Sequence, residues 1–226
     1  MPSLVSLKLR SVAVSDEGVK HLAGLKKLRG LALEDSKVSS EGLKTIGQLA
    51  ALNDLNLLRA PIDDSGLAHL APLTDMRQLF LRDTYITGSG LKHLRSMSKL
   101  RKLDLSETGV GSDEIAELKG MNELAWLNLW NTTVDDRGLP HLASLPKLQY
   151  LNLENTRVTD EGLAGLTDAP SLTTLGLNET RISDAGLKHL EHLQTLKNLR
   201  LRLSRVTPAG VKQLQAALPD LNDRAA

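Results

Sequence analysis

Five aromatic side chains carry the strongest chemical signal in this sequence: Phe80, Tyr85, Trp126, Trp130 and Tyr150. Polar and charged residues accompany them. Arg82, Asn128, Asn152 and Glu154 follow rings at steps of two or four residues, and Asp104 lies between the two groups of rings. Large rings set among hydrogen-bonding groups are the anchor chemistry of protein interfaces. These ten residues are the expected partner-binding set. A second signal is basic: Arg157, Arg181 and Arg205 recur at one spacing, near Arg200 and Arg202. Guanidiniums in a row suit an acidic partner or a phosphate, although Glu154 and Glu179 stand close in sequence and a solvated face is the simpler reading.

Other constellations point away from catalysis. Asp83, Asp104 and Glu107 cluster, but acid–base work needs a pocket and a shifted pKa. The sequence holds no cysteine, which removes disulfides, thiolate nucleophiles and cysteine-ligated metals. Histidines 21, 69, 93, 141 and 189 share one column on outer helices, where a metal would lack further ligands. The expectation is therefore no enzyme, no metal and no cofactor. Asn131-Thr132-Thr133 and Asn178-Glu179-Thr180 match the glycosylation sequon, here read as accidental for want of a secretion signal.

The elements that position these side chains follow from a 24-residue period. Its first apolar residue falls at Leu4, Leu28, Leu52, Met76, Leu100, Leu124, Leu148, Leu172 and Leu196. A period of this length means stacked repeats, so residues 1–226 are read as one elongated domain. In the repeat 148–171, Leu151 and Leu153 alternate with Tyr150, Asn152 and Glu154, the mark of a short strand with one buried face. Thr159 is a candidate N-cap, Asp160 and Glu161 suit the positive first turn of a helix, and Leu163, Leu166 and Ala169 face inward until Pro170 ends the helix.

Two columns call for separate reasons. The column Ser36, Ala60, Thr84, Thr108, Thr132, Thr156, Thr180 and Ser204 is read as a hydroxyl ladder that should satisfy turn backbone groups. Gly18, Gly42, Gly66, Gly90, Gly138, Gly162, Gly186 and Gly210 sit within helical turns, where glycine costs about 1 kcal/mol, so neighbouring repeats must approach closely there. Glu114 replaces the glycine in the fifth repeat, which reads as neutral drift or local softness.

The charge balance of 28 basic and 27 acidic residues gives no bulk attraction to nucleic acid or an acidic membrane. No apolar run approaches the roughly 18 residues of a membrane helix. The chain starts directly in repeat sequence, so it is expected to be cytoplasmic or a fragment of a larger protein. Neither end carries a recognisable cap, and terminal leucines such as Leu214, Leu218 and Leu221 are expected to be exposed and available for self-association.

The pattern L-x-x-L-x-L-x-x-[TS]-x-[VI]-x-D-x-G-L, as in Leu148 to Leu163 and Leu172 to Leu187, resembles the leucine-rich repeat. Its second half is similar to the ribonuclease-inhibitor-like helical subtype; the threonine after the strand and the short unit pull it toward bacterial members. The resemblance implies an α/β solenoid, or horseshoe, with a concave parallel sheet, short convex helices and about nine repeats. It further implies a non-catalytic scaffold that holds a protein on the concave face. The other reading is a structural or assembly segment whose effector domain lies elsewhere.

Overall fold

The computed structural model describes residues 3–11 and 13–223. The chain divides into two compact units, Met1–Gly109 and Val110–Ala226. The first holds β1 (Ser6–Lys8), β2 (Gly30–Ala32), β3 (Asp54–Asn56), β4 (Gln78–Phe80) and β5 (Lys102–Asp104), paired parallel in chain order. The second holds β6 (Trp126–Asn128), β7 (Tyr150–Asn152), β8 (Thr174–Gly176), β9 (Asn198–Arg200) and β10 (Asn222–Asp223), also parallel in order. The register equals the repeat: Leu31 faces Leu55, and Leu151 faces Leu175.

Leucines fill the interior as the period requires. In the repeat 148–171, Leu151, Leu153, Val158, Leu163 and Leu166 are wholly buried. Each such leucine contributes about 1.5–3 kcal/mol relative to exposure, so the columns dominate stability.

The return segments are short. The first unit carries α1 (Asp16–Lys20), α2 (Leu43–Ile46) and α3 (Asp64–Leu70), then a 3-10 turn at Leu91–Leu94. The second carries α4 (Ser112–Ile115), α5 (Leu139–Ala143), α6 (Asp160–Leu163), α7 (Asp184–Leu187) and α8 (Pro208–Ala217), with 3-10 turns between. Two sequence expectations need correction here. After α6 the chain tightens into a 3-10 turn at Ala164–Leu166, so the helix is over before Pro170. Thr159 has the extended backbone of an N-cap but makes no side-chain cap bond. Its hydroxyl is engaged by Asp136 at 2.7 Å and by Glu161 at 2.6 Å.

That engagement belongs to a clamp between neighbouring repeats. In seven repeats an Asp or Ser side chain accepts the N–H of the residue 23 positions on: Asp16 from Ser39, Ser40 from Asp63, Asp64 from Thr87, Ser112 from Asp135, Asp136 from Thr159, Asp160 from Ser183, and Asp184 from Thr207. The pairs are complementary. Where the first residue is Asp the second is Ser or Thr, whose hydroxyl donates to the carboxylate; where the first is Ser, the second is Asp. The clamp explains the glycine column. A Cβ on Gly162 would lie 2.1 Å from Asp136 Oδ1, and one on Gly186 2.3 Å from Asp160 Oδ1. Along the sequence both columns lapse together, with Gly88 in the Asp column and Glu114 in the glycine column. Glu114 Oε2 accepts the Gly111 N–H at 3.3 Å, a local use for that side chain.

The hydroxyl ladder behaves as expected. Thr84, Thr108, Thr132, Thr156, Thr180 and Ser204 each donate to the carbonyl three residues back, at 2.6–2.7 Å. Between strand and ladder lies a residue of left-handed backbone in every repeat: Ser11, Asp35, Arg59, Asp83, Glu107, Asn131, Asn155, Glu179 and Leu203, with φ of 51–57°. Its N–H still joins the next repeat, as Asn155 N–H does to Asn178 O at 2.9 Å.

The C-terminal leucines correct another expectation. Leu214, Leu218 and Leu221 are buried, and β10 continues the ladder beyond β9. The large apolar residues that are exposed among the described ones are Val5 and Leu203, with Tyr85.

Candidate functional site

On the second unit the sheet face presents a built aromatic group. Trp126 and Tyr150 stand opposite each other on β6 and β7, and their rings stack with centroids 5.1 Å apart and planes 11° from parallel. The Arg200 guanidinium, from β9, sits 6.0 Å from the centre of the Tyr150 ring and 3.3 Å from Glu154 Oε1. Burial works against the Arg200 charge, but the Tyr150 hydroxyl and the Glu154 carboxylate outweigh it and hold the pKa above the ordinary guanidinium value. Gly176 lies between them, where a Cβ would meet Asn152 Oδ1 at 2.7 Å and Glu154 Oε1 at 2.8 Å. A small residue on β8 thus leaves room for Arg200 to reach back two strands. Trp126, Trp130 and Tyr150 all keep part of their surface in solvent.

Three of the expected contact residues have other work. Asp104 and Asn152 are buried, and Asn128 is partly so. Asp104 accepts the Ser106 N–H at 3.0 Å and its hydroxyl at 2.6 Å. Asn128 accepts the Trp130 N–H at 3.2 Å, and Asn152 the Glu154 N–H at 2.9 Å. Asn56 does the same for Leu58 at 3.0 Å. These side chains satisfy backbone donors at the strand end, so they shape the face rather than supply free contacts. The recurrence of Asn or Asp at 56, 104, 128 and 152 is a signal of the same kind as the threonine ladder.

On the first unit, Phe80 lies at the end of β4, while Tyr85 sits in the turn beyond Asp83 and is 73% exposed. Tyr85 therefore belongs to the turn edge, not to the sheet face. Arg82 pairs with Glu107 at 2.6 Å. Phe80 helps to line a hollow of about 250 Å³ that sequence reading missed. Gly30, Ala32, Lys8, Arg10 and Asp54 are among the other residues that line it. The signal was two small residues together in outward strand positions. The Asp54 carboxylate makes no hydrogen bond among the described residues; burial pushes its pKa up, against the opposing effect of Lys8 and Lys102. No group of three or more potential metal ligands occurs among the described residues.

Parallel strands in a 24-residue register, leucines inside and short helical returns define a leucine-rich repeat fold. Residues 144–166 match the family model described as Leucine Rich repeat. Two solved structures from Listeria monocytogenes are similar in fold. One is an internalin, InlF, with a TM-score of 0.79 and 22% identity, covering 98% of this chain and 61% of that one. The other is internalin C2, with a TM-score of 0.63 and 22% identity, covering 96% and 78% respectively. The chain thus spans less than two thirds of the first internalin. A comparison with curated proteins finds no sequence match.

Proposed function

We propose that this leucine-rich repeat protein is a non-catalytic scaffold that docks a protein partner on its sheet face, around Trp126, Trp130 and Tyr150. The observation that carries the reading is the stacked Trp126–Tyr150 pair, braced by Arg200 and Glu154 and still partly open to solvent. Rings held in place before binding lose little freedom on contact, which favours their use as anchors. Arg200 joins the expected set, and Asp104, Asn128 and Asn152 act by fixing the strand ends.

The test is capture from the source lysate with the purified chain and with a Trp126→Ala/Tyr150→Ala variant whose circular dichroism matches the parent. Loss of specific capture supports the reading. Equal capture by both proteins sinks it. A second reading, a repeat segment of a larger protein, is favoured by the 61% coverage of the internalin; the gene sequence around the chain decides it.

A further inference from the structure

The turns that follow β7, β8 and β9 carry a feature that sheet-face docking does not use. Arg157, Arg181 and Arg205 occupy equivalent positions in three successive repeats, and all are exposed. None of their guanidiniums has a hydrogen-bond or ion-pair partner among the described residues. The backbone fixes their register: Arg157 N–H donates to Val134 O at 2.9 Å and Arg205 N–H to Ile182 O at 2.8 Å, and Arg205 bridges to Ser183 as in a parallel strand. Parallel neighbours lie about 4.8 Å apart, so like charges stand side by side. Several other basic side chains are instead paired with acids. Arg59 with Asp35, Arg82 with Glu107, Lys99 with Asp75, Arg137 with Asp113 and Lys147 with Glu123 all pair across adjacent repeats. Of Asn155, Glu179 and Leu203, which lie two residues before these arginines, Glu179 is the one acid, and it pairs with none of them.

A second observation lies at the same edge. Leu203 is 80% exposed and has a φ of 57°. The other eight residues of this left-handed column are polar. An exposed leucine in that conformation runs against both solvation and backbone preference, and such an outlier points toward use. Leu203 lines a notch of about 330 Å³ with Leu201, Val206, Pro208, Val211 and Arg202.

We propose that this edge binds an acidic segment of a partner protein, with one apolar side chain of the segment seated in the notch beside Leu203 and its carboxylates along Arg205, Arg181 and Arg157. Charge complementarity selects the acids, and the largely aliphatic notch selects a protein segment over a nucleic acid, since none of the notch residues carries an aromatic ring on which a base could stack. The surface is separate from the aromatic group on the sheet face, so either proposal can fail alone.

The experiment uses the full chain and a fluorescein-labelled decapeptide of aspartate and glutamate with one central leucine. Comparison probes are the same peptide with central serine, a single-stranded decanucleotide and phosphatidylserine vesicles. The leucine peptide should bind best. Arg157→Ala/Arg181→Ala/Arg205→Ala should weaken it about tenfold or more. Leu203→Asn should bring the leucine and serine peptides to equal affinity. Asparagine tolerates the left-handed backbone, so this variant should melt no lower than the parent and misfolding cannot account for the loss. Lys44→Ala, on α2 of the first unit, should leave peptide binding unchanged. Absence of saturable peptide binding, equal binding by the triple variant, or preference for the decanucleotide or the vesicles would overturn the proposal. So would a dimer in sedimentation that Leu203→Asn dissociates, because a second copy would then occupy the notch.

Discussion

Asp160→Ser, Ser183→Asp and the double exchange make a cycle on one clamp between repeats. Asp160 Oδ1 accepts the Ser183 N–H at 2.7 Å, and Oδ2 accepts the Ser183 hydroxyl at 2.5 Å. Serine at 160 offers one short acceptor in place of two, so it loses most of this pairing. Hydrogen bonds to a charged group contribute about 1.5–3 kcal/mol each. The clamp is only part-buried, and solvent screening brings the expected loss to about 2 kcal/mol. Ser183→Asp alone places two carboxylates together and should cost a similar amount. The double exchange reproduces the arrangement already present at Ser40 and Asp63, where the hydroxyl donates to Asp63 Oδ1 at 2.8 Å and accepts its N–H at 3.0 Å. It should return to within about 1 kcal/mol of the parent, a coupling larger than unlinked sites show. Urea titration followed by circular dichroism reads the midpoints. Simple additivity of the two single losses would refute the idea that complementarity, rather than separate local contacts, holds these repeats together.

Gly162→Ala should destabilise by about 1–3 kcal/mol, because overpacking against a pinned Asp136 outweighs the helix-propensity gain of about 1 kcal/mol; Gly24→Ala, where an added Cβ meets nothing within 4 Å, is the neutral control. Equal melting shifts for the two would contradict the crowding argument. Glu179→Asn should stabilise by about 0.5–1 kcal/mol, since asparagine accepts a φ of 57° more readily; an unchanged urea midpoint would count against it. Asp54→Asn should stabilise the protein at pH 7. A carboxylate whose folded pKa is raised costs stability above that pKa, and the cost disappears as pH falls through it, so the advantage of asparagine should vanish in acid. Asp63, Asp64 and Asp184 have lowered pKa values. At Asp63 the Ser65 and Ser40 hydroxyls lower it; at Asp64 burial opposes the shift but the Thr87, Gly88 and Gly90 donors win; at Asp184 Thr207 lowers it. Their contribution is present above the unfolded carboxylate value of about 3.9 and is lost as pH falls through the folded values. Thermal melts at pH 7 and pH 3 should therefore show a parent protein that weakens in acid while the Asp54→Asn gain shrinks; a gain that persists at pH 3 would show that burial of the charge is not its cause.

The period alone determined a great deal. A 24-residue phase in leucine places equivalent residues side by side, and from that follow the parallel register, the buried columns, the hydroxyl ladder under most turns and the tight fit around most glycines of the helical column. Those properties depend only on residue type at a repeated position. What each polar side chain does was decided by tertiary structure. Asp160 looked like a helix-dipole acid and is a clamp on Ser183; Asn152 looked like a contact residue and holds the Glu154 N–H. Arg200 gave no sign that it would reach Tyr150 and Glu154, two strands away in the sheet. The reason is physical. Burial of an apolar side chain needs only the right face, whereas a hydrogen bond or ring contact needs a partner within a few ångströms and at the right angle. For Asp160 and Arg200 that partner comes from a chain segment 23 to 50 residues distant, and only the folded backbone brings the two together.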